Sequence, residues 1–178
     1  LRGRAARPVS VTIRPATRAD VPSILAIYNA AVEATTATWD HDPVTLDDRL
    51  ARYEAAQANG WALLVATDEG RVVGFGAWSP FRSKVGWSRT MEHSVYVDAA
   101  ARGSGTGRAL LAALVDAARA AGVHALVGVV EAGNEASIGL HESLGFREVA
   151  RMPQVGFKFG RWLDAVFVQL TLDDAPTP

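Results

Sequence analysis

Residues Asp98–Ala109 read DAAARGSGTGRA, with Gly103, Gly105 and Gly107 at alternate positions between Arg102 and Arg108. The run Ser94-Val95-Tyr96-Val97 before it has the composition of a strand. After it, Leu110, Leu111, Leu114, Val115 and Ala118 recur at helical spacing on one face. A strand, a glycine turn and a helix start in that order suit a phosphate-bearing ligand. The first helical N–H groups lack intrahelical partners, and the helix dipole favours negative charge there. Glycines let an anion approach the main chain, and two arginines offer charge-assisted hydrogen bonds.

Several ligands fit that description. A P-loop requires G-x-x-x-x-G-K-[ST], and no such string occurs. A dinucleotide turn requires G-x-G-x-x-G or A, but here the spacing is G-x-G-x-G, with Arg108 in the third small position. Glu131, closing the next expected strand, keeps that rival open as a ribose-binding acid. A glycine-rich turn without ligand is also open. The third ligand is acetyl-CoA. Arg102-Gly103-Ser104-Gly105-Thr106-Gly107 resembles R/Q-x-x-G-x-G/A, the pyrophosphate loop of the GNAT acyltransferases.

A second segment decides among these. Asn134–Phe146, NEASIGLHESLGF, resembles the other GNAT signature, N-x-x-S-x-x-L-[YH]-x-x-x-G-F, at every fixed position. It reads as a short helix with Asn134 as N-cap, Ser137 at N3 and Gly145 as left-handed C-cap.

The likeness extends further. VTIRPAT near the N-terminus, TTATW, MEHSVYV, GNEASIGLHESLGF and MPQVGFKFGRWLD together resemble the phosphinothricin and methionine sulfoximine N-acetyltransferases over about residues 11–172. The resemblance implies acetyl-CoA as donor, a small amino-acid-like amine as acceptor, direct attack in a ternary complex and a homodimer. It places the donor along Val95, Tyr96 and Val97, its pyrophosphate on Arg102, Gly103, Ser104, Gly105, Thr106, Gly107 and Arg108, and further contacts on Asn134 and Ser137.

Acyl transfer to an amine needs a neutral amine, a donor for the developing oxyanion and a means of stabilising the leaving thiolate. Glu92 is the candidate general base, with a solvated surface glutamate as the alternative. His141 is the candidate proton donor or relay for the thiolate; a histidine satisfied in the core is equally consistent. Phe81, Arg82, Glu92, His93 and Ser94 are the candidate acceptor contacts. Arg82, Arg89 and Arg161 each suit an amino-acid carboxylate, and the sequence does not rank them. A non-catalytic acyl-CoA sensor on the same fold is the alternative from another class, and the presence of both Glu92 and His141 favours the enzyme.

The elements that must hold these residues follow from the pattern. Val11–Arg14 is a strand, and Asp20 caps a helix carrying Ile24, Leu25, Tyr28 and Val32. Ala34–Asp42 is a polar loop. Thr45 opens a second helix, which Asn59-Gly60 ends. Trp61–Thr67 and Val72–Trp78 form a hairpin, followed by an irregular loop over Ser79–Arg89. After the central strand–turn–helix come a strand at Ala125–Val130, the Asn134 helix and a strand at Phe146–Arg151. Met152–Arg161 reads as a glycine-interrupted crossing segment, and Trp162–Leu172 as a last strand. The order β-α-α-β-β-β-α-β-α-β-β predicts an α/β fold: one domain over residues 11–172 with a mixed sheet wrapped by helices. Residues 1–10 and 173–178 read as flexible ends.

Composition fits this reading. The 178 residues suffice for one full core, with 49% hydrophobic and 21% charged residues. A net charge of −1 argues against nucleic acid. No apolar run approaches the roughly 18 residues of a membrane span, and no signal-like segment opens the chain, so a cytoplasmic location is expected. The absence of cysteine excludes disulfides, thiolate metal ligands and an acetyl-cysteine intermediate. No metal is expected.

Overall fold

Alternating side chains in the second half of the chain make strands, and the computed structural model, which describes residues 11–173, joins seven strands into one sheet. They are β1 (Thr12–Pro15), β2 (Leu63–Asp68), β3 (Arg71–Pro80), β4 (Thr90–Val97), β5 (Ala125–Glu131), β6 (Arg147–Lys158) and β7 (Arg161–Thr171), in the spatial order β1-β2-β3-β4-β5-β7-β6. Every neighbouring pair is antiparallel except β4 and β5. Four helices, α1 (Val21–Ala34), α2 (Leu46–Asn59), α3 (Thr106–Ala120) and α4 (Glu135–Glu142), complete the expected order and the mixed α/β fold. Residues 1–10 and 174–178, expected to be flexible, lie outside the described residues. Asp173, assigned with them, accepts hydrogen bonds from Arg89 Nη2 at 2.9 Å and from His124.

The sheet is covered on both faces. Ile24, Ile27, Tyr28 and Val32 of α1 pack on Val65, Phe75 and Tyr96. On the other face Leu111, Leu114, Val115 and Ala118 of α3 pack with Leu126, Phe146, Val166 and Val168. Burying each such large side chain stabilises the fold by about 1.5–3 kcal/mol. β4 serves both faces: Tyr96 belongs to the α1 side, and Met91, Val95 and Val97 to the α3 side.

Local chemistry sets the helix ends. Thr45 caps α2 as expected, its hydroxyl accepting from Asp48 N at 3.2 Å while Asp48 Oδ2 accepts from Thr45 N at 2.9 Å. Asp20 stands at the N-cap of α1, but its carboxylate turns away from the helix. It accepts from Thr17 N at 2.7 Å and from the fork of Arg14 at 2.7 and 2.8 Å. The arginine and the backbone bond hold its carboxyl well below the usual carboxylate range.

The segment expected to cross after Arg151 continues instead as strand β6 through Lys158. Two features allow it. β6 is the sheet edge, where Pro153 removes no ladder bond. A bulge between Met152 and Gly156, with Gln154 at φ 52° and its N–H donated to Asp164 Oδ1, absorbs the extra residues. Gly156 has no room for a side chain: a Cβ there would lie 2.4 Å from the Trp39 ring.

The register places the site. β4 and β5 pair only from Thr90–Ala125 to His93–Gly128, and beyond His93 they part. Phe81 N donates to Thr90 O, and Asp98 N donates to Val73 O, so the even residues of β4 spend their main-chain groups on β3. By alternation the groups of Val95 and Val97 point away from β3 into the gap.

Candidate active site

Two cavities meet at β4. The larger, about 820 Å³, is the gap between β4 and β5. It is lined by Val95, Tyr96 and Val97, by Arg102, Gly103, Gly105, Gly107 and Arg108, and by Asn134, Ser137 and His141. The second, about 700 Å³, opens between α2 and the β3–β4 end of the sheet, and Phe81, Arg82, Glu92 and Ser94 line it. Glu92 and Ser94 line both.

The glycine loop forms a cradle for an anion. Gly105 is the N-cap of α3 at φ 89°, and Gly103 is at φ 76°; a Cβ built on either meets nothing within 4 Å. The space is open, but the left-handed backbone makes any residue other than glycine strained there. The exposed Arg102 and Arg108 flank it, and Arg102 Nε approaches Val97 O at 3.4 Å. These features fit the pyrophosphate and amide arm of acetyl-CoA, with Val95 and Val97 supplying strand-like main-chain groups. Ser104 and Thr106 play a different part. Their hydroxyls bond each other at 2.8 Å, Ser104 Oγ donates to Ala101 O at 2.6 Å, and Thr106 is fully buried. They brace the loop from behind, and neither lines the cavity.

The short α4 and its N-cap bring three more expected residues, Asn134, Ser137 and His141, to the cleft. Asn134 Oδ1 accepts from Ser137 N at 3.1 Å, and Ser137 O accepts from His141 Nδ1 at 2.7 Å. That bond fixes the tautomer: Nδ1 carries the proton, so the neutral ring's Nε2 is an acceptor. It receives the Nε2–H of His93 at 2.9 Å. Burial lowers both histidines. His93 falls to about 3, with His141 opposing its charge as well, and His141 is lowered despite the Ser137 carbonyl. Both rings are therefore neutral at pH 7. With Nδ1–H donated to Ser137 O and Nε2 accepting from His93, neutral His141 has no N–H to offer a leaving thiolate; opening its bond to His93 would free only the Nε2 lone pair.

His93, expected beside the acceptor, lies on the opposite face of β4 from that cavity. It is 5% exposed and sits against Phe146 and His141. Gly128 makes the room, since a Cβ there would come within 2.9 Å of His93 Cε1.

Glu92 is half-buried in the wall shared by the two cavities. Burial pushes its carboxyl above the usual carboxylate range, and the nearby Arg82 opposes the shift. Arg82 lies over the Phe81 ring at 4.0 Å and donates to Phe81 O at 2.8 Å; Phe81 in turn meets Trp87 edge-on at 5.4 Å. The geometry ranks the three arginines. Arg89 is spent on Asp173 and on Gly122 O, and Arg161 faces Glu131 at 3.9 Å, leaving Arg82 in the second cavity.

Other residues were not picked out from the sequence. Arg49, Arg52, Tyr53 and Ala56 line the second cavity from α2, and their i, i+3, i+4, i+7 spacing was the available signal. The loop after α1 walls the cleft through Thr36, Thr38 and Trp39. Buried Lys158 holds it by donating to Thr35 O and Thr38 O, each at 2.8 Å, and Thr36 Oγ1 donates to Glu131 Oε2 at 3.2 Å. These contacts bridge more than ninety positions, so no local pattern announces them.

Known proteins resemble the chain in sequence and in fold. Residues 24–146 match the family model described as Acetyltransferase (GNAT) family. The L-methionine sulfoximine/L-methionine sulfone acetyltransferase of Pseudomonas paraeruginosa is 51% identical over 166 residues, covering 93% of this chain and 96% of that protein. The phosphinothricin N-acetyltransferase of Alcaligenes faecalis is 35% identical over 167 residues, covering 93% and 85%. The structure of yncA, a putative acetyltransferase from Salmonella typhimurium with its cofactor acetyl-CoA, superposes with a TM-score of 0.93 at 50% identity, covering 95% of this chain and 98% of that one. With both signature motifs built into one cleft, the chain belongs to the GNAT family of acetyltransferases.

Proposed function

We propose that the chain is a cytoplasmic, homodimeric N-acetyltransferase that moves the acetyl group of acetyl-CoA to the α-amine of a small L-amino acid. The acceptor's side chain ends in a polar tetrahedral group, as in methionine sulfoximine, methionine sulfone or phosphinothricin. The observation that carries this reading is the position of Glu92 and Ser94 on the walls of both cavities. A donor in one cavity and an amine in the other would meet there.

Bound acetyl-CoA supplies an activated acyl group as its thioester. Gly103, Gly105 and Gly107 would hold its pyrophosphate with Arg102 and Arg108, and the main chains of Val95 and Val97 its amide arm. Asn134 and Ser137 border the same cleft from α4. Glu92 takes a proton from the acceptor's ammonium group, directly or through water. Arg82 takes the α-carboxylate, because its charge is the one felt at Glu92, which faces the amine. His141 would relay a proton only by releasing His93, taking up at Nε2 a proton that the amine loses, and passing that proton to the leaving thiolate; it lines the donor cleft, where this exchange would take place. The names of the relatives support the choice of acceptor.

The test is thiol release with the three analogues beside methionine, lysine, spermidine and a peptide N-terminus. The analogues are expected to give the highest kcat/KM. A polyamine or peptide well above all three would refute the acceptor while leaving the donor site standing.

The dimer rests on the β6–β7 hairpin. Phe157, Phe159 and Trp162 are 45%, 56% and 60% exposed, beside exposed Met152 and Val155. Phe157 and Trp162 meet edge-on at 5.3 Å, and exposed aromatics gathered on one hairpin support an interface there; a closed two-fold pair is the commonest way to cover one. Light scattering at micromolar concentration is expected to give the mass of two chains; the mass of one would count against it.

A further inference from the structure

Arg49 projects from α2 into the acceptor cavity, with its guanidinium carbon 3.5 Å above the Tyr28 ring. It is half-buried, and its Nε is buried without a hydrogen-bond partner. None of the ion pairs among the described residues involves it. Arg52, one turn on, lines the same wall and repels it. A desolvated guanidinium beside a second cation is unfavourable unless an anion or a strong acceptor completes the site. The cavity's own carboxylate does not do so: Glu92 is influenced by Arg82.

The acceptor's dimensions divide the cations. Its α-carboxylate is one carbon from the α-amine, so it must lie near Glu92 and hence near Arg82. Its side chain extends away from them, toward the α2 wall. We propose that Arg49 selects the acceptor by binding the oxygens at its side-chain end, whether a sulfone, sulfoximine or phosphinate, with the Tyr28 face holding the guanidinium plane. A planar donor fork above a ring suits two oxygens on one atom. This inference rests on the amino-acid acceptor proposed above.

The test compares methionine sulfone with methionine, which differ only in those oxygens, in wild type, Arg49→Gln and Arg49→Lys. In wild type the sulfone is expected to have much the higher kcat/KM. Arg49→Gln should lower it for the sulfone by about 10²-fold and for methionine by no more than about threefold, so that the preference collapses. Arg49→Lys keeps the charge without the fork and should restore part of it. A lysine variant with wild-type melting behaviour guards against a folding defect. Equal losses for both acceptors, or no loss for either, would overturn the role of Arg49. Wild-type turnover of neither amino acid, with a peptide or polyamine accepted instead, would overturn the acceptor reading and the role of Arg49 with it.

Discussion

Replacing Glu92 by glutamine is expected to lower kcat by about 10²-fold or more while acetyl-CoA affinity stays nearly unchanged. The substitution keeps the side chain's shape and removes its basic oxygen. Donor affinity should survive, because the glycine loop and the β4 edge that would hold acetyl-CoA lie beyond Glu92 along the cleft. The pH profile makes the test specific. A base must be ionised, so activity falls as pH drops through its pKa. Burial has raised that pKa, and the acid limb of wild-type kcat/KM should therefore lie above the usual carboxylate range. In Glu92→Gln that limb should disappear. A variant matching wild type in both rate and profile would mean that water or the amine's own equilibrium supplies the deprotonation.

The other large effect is expected at Gly105. Gly105→Asp should weaken acetyl-CoA binding by at least about 10²-fold, a loss of about 2.8 kcal/mol. It places a carboxylate at the α3 N-terminus, where the pyrophosphate is proposed to sit, and the two charges would repel. The fold should tolerate it. No atom lies within 4 Å of the new Cβ, and the left-handed backbone at φ 89° costs a non-glycine residue about 1–2 kcal/mol. Calorimetry showing unchanged affinity in a folded variant would remove the pyrophosphate from this loop.

The sequence carried the order of elements because each is written locally. The apolar face of α3, the Thr45 cap and the Asn134–Ser137 turn each lie within a few residues. The two motifs marked the donor side for the same reason: Gly105 needs its φ wherever the chain goes. The acceptor side was less legible. Arg49 and Arg52 read as ordinary polar positions of a surface helix until α2 is seen to lean over the cavity mouth. His93 follows strand alternation, but whether its face meets solvent or α4 depends on Phe146 and Gly128, both distant in sequence. The β6 bulge was hidden by Pro153 and Gly156, which look like breaks and are tolerated only because β6 is the edge.

The four-pair contact between β4 and β5 has a mechanical consequence. The sheet consists of two halves, β1–β4 and β5–β7, joined through four residue pairs at one end and parted at the other. An amide arm seated along Val95 and Val97 would stand in for the missing length of strand. The substrate would then be a temporary part of the scaffold, stitching the halves together during turnover. The seam would reopen as the spent carrier leaves, so release of coenzyme A would loosen the centre of the molecule rather than its rim.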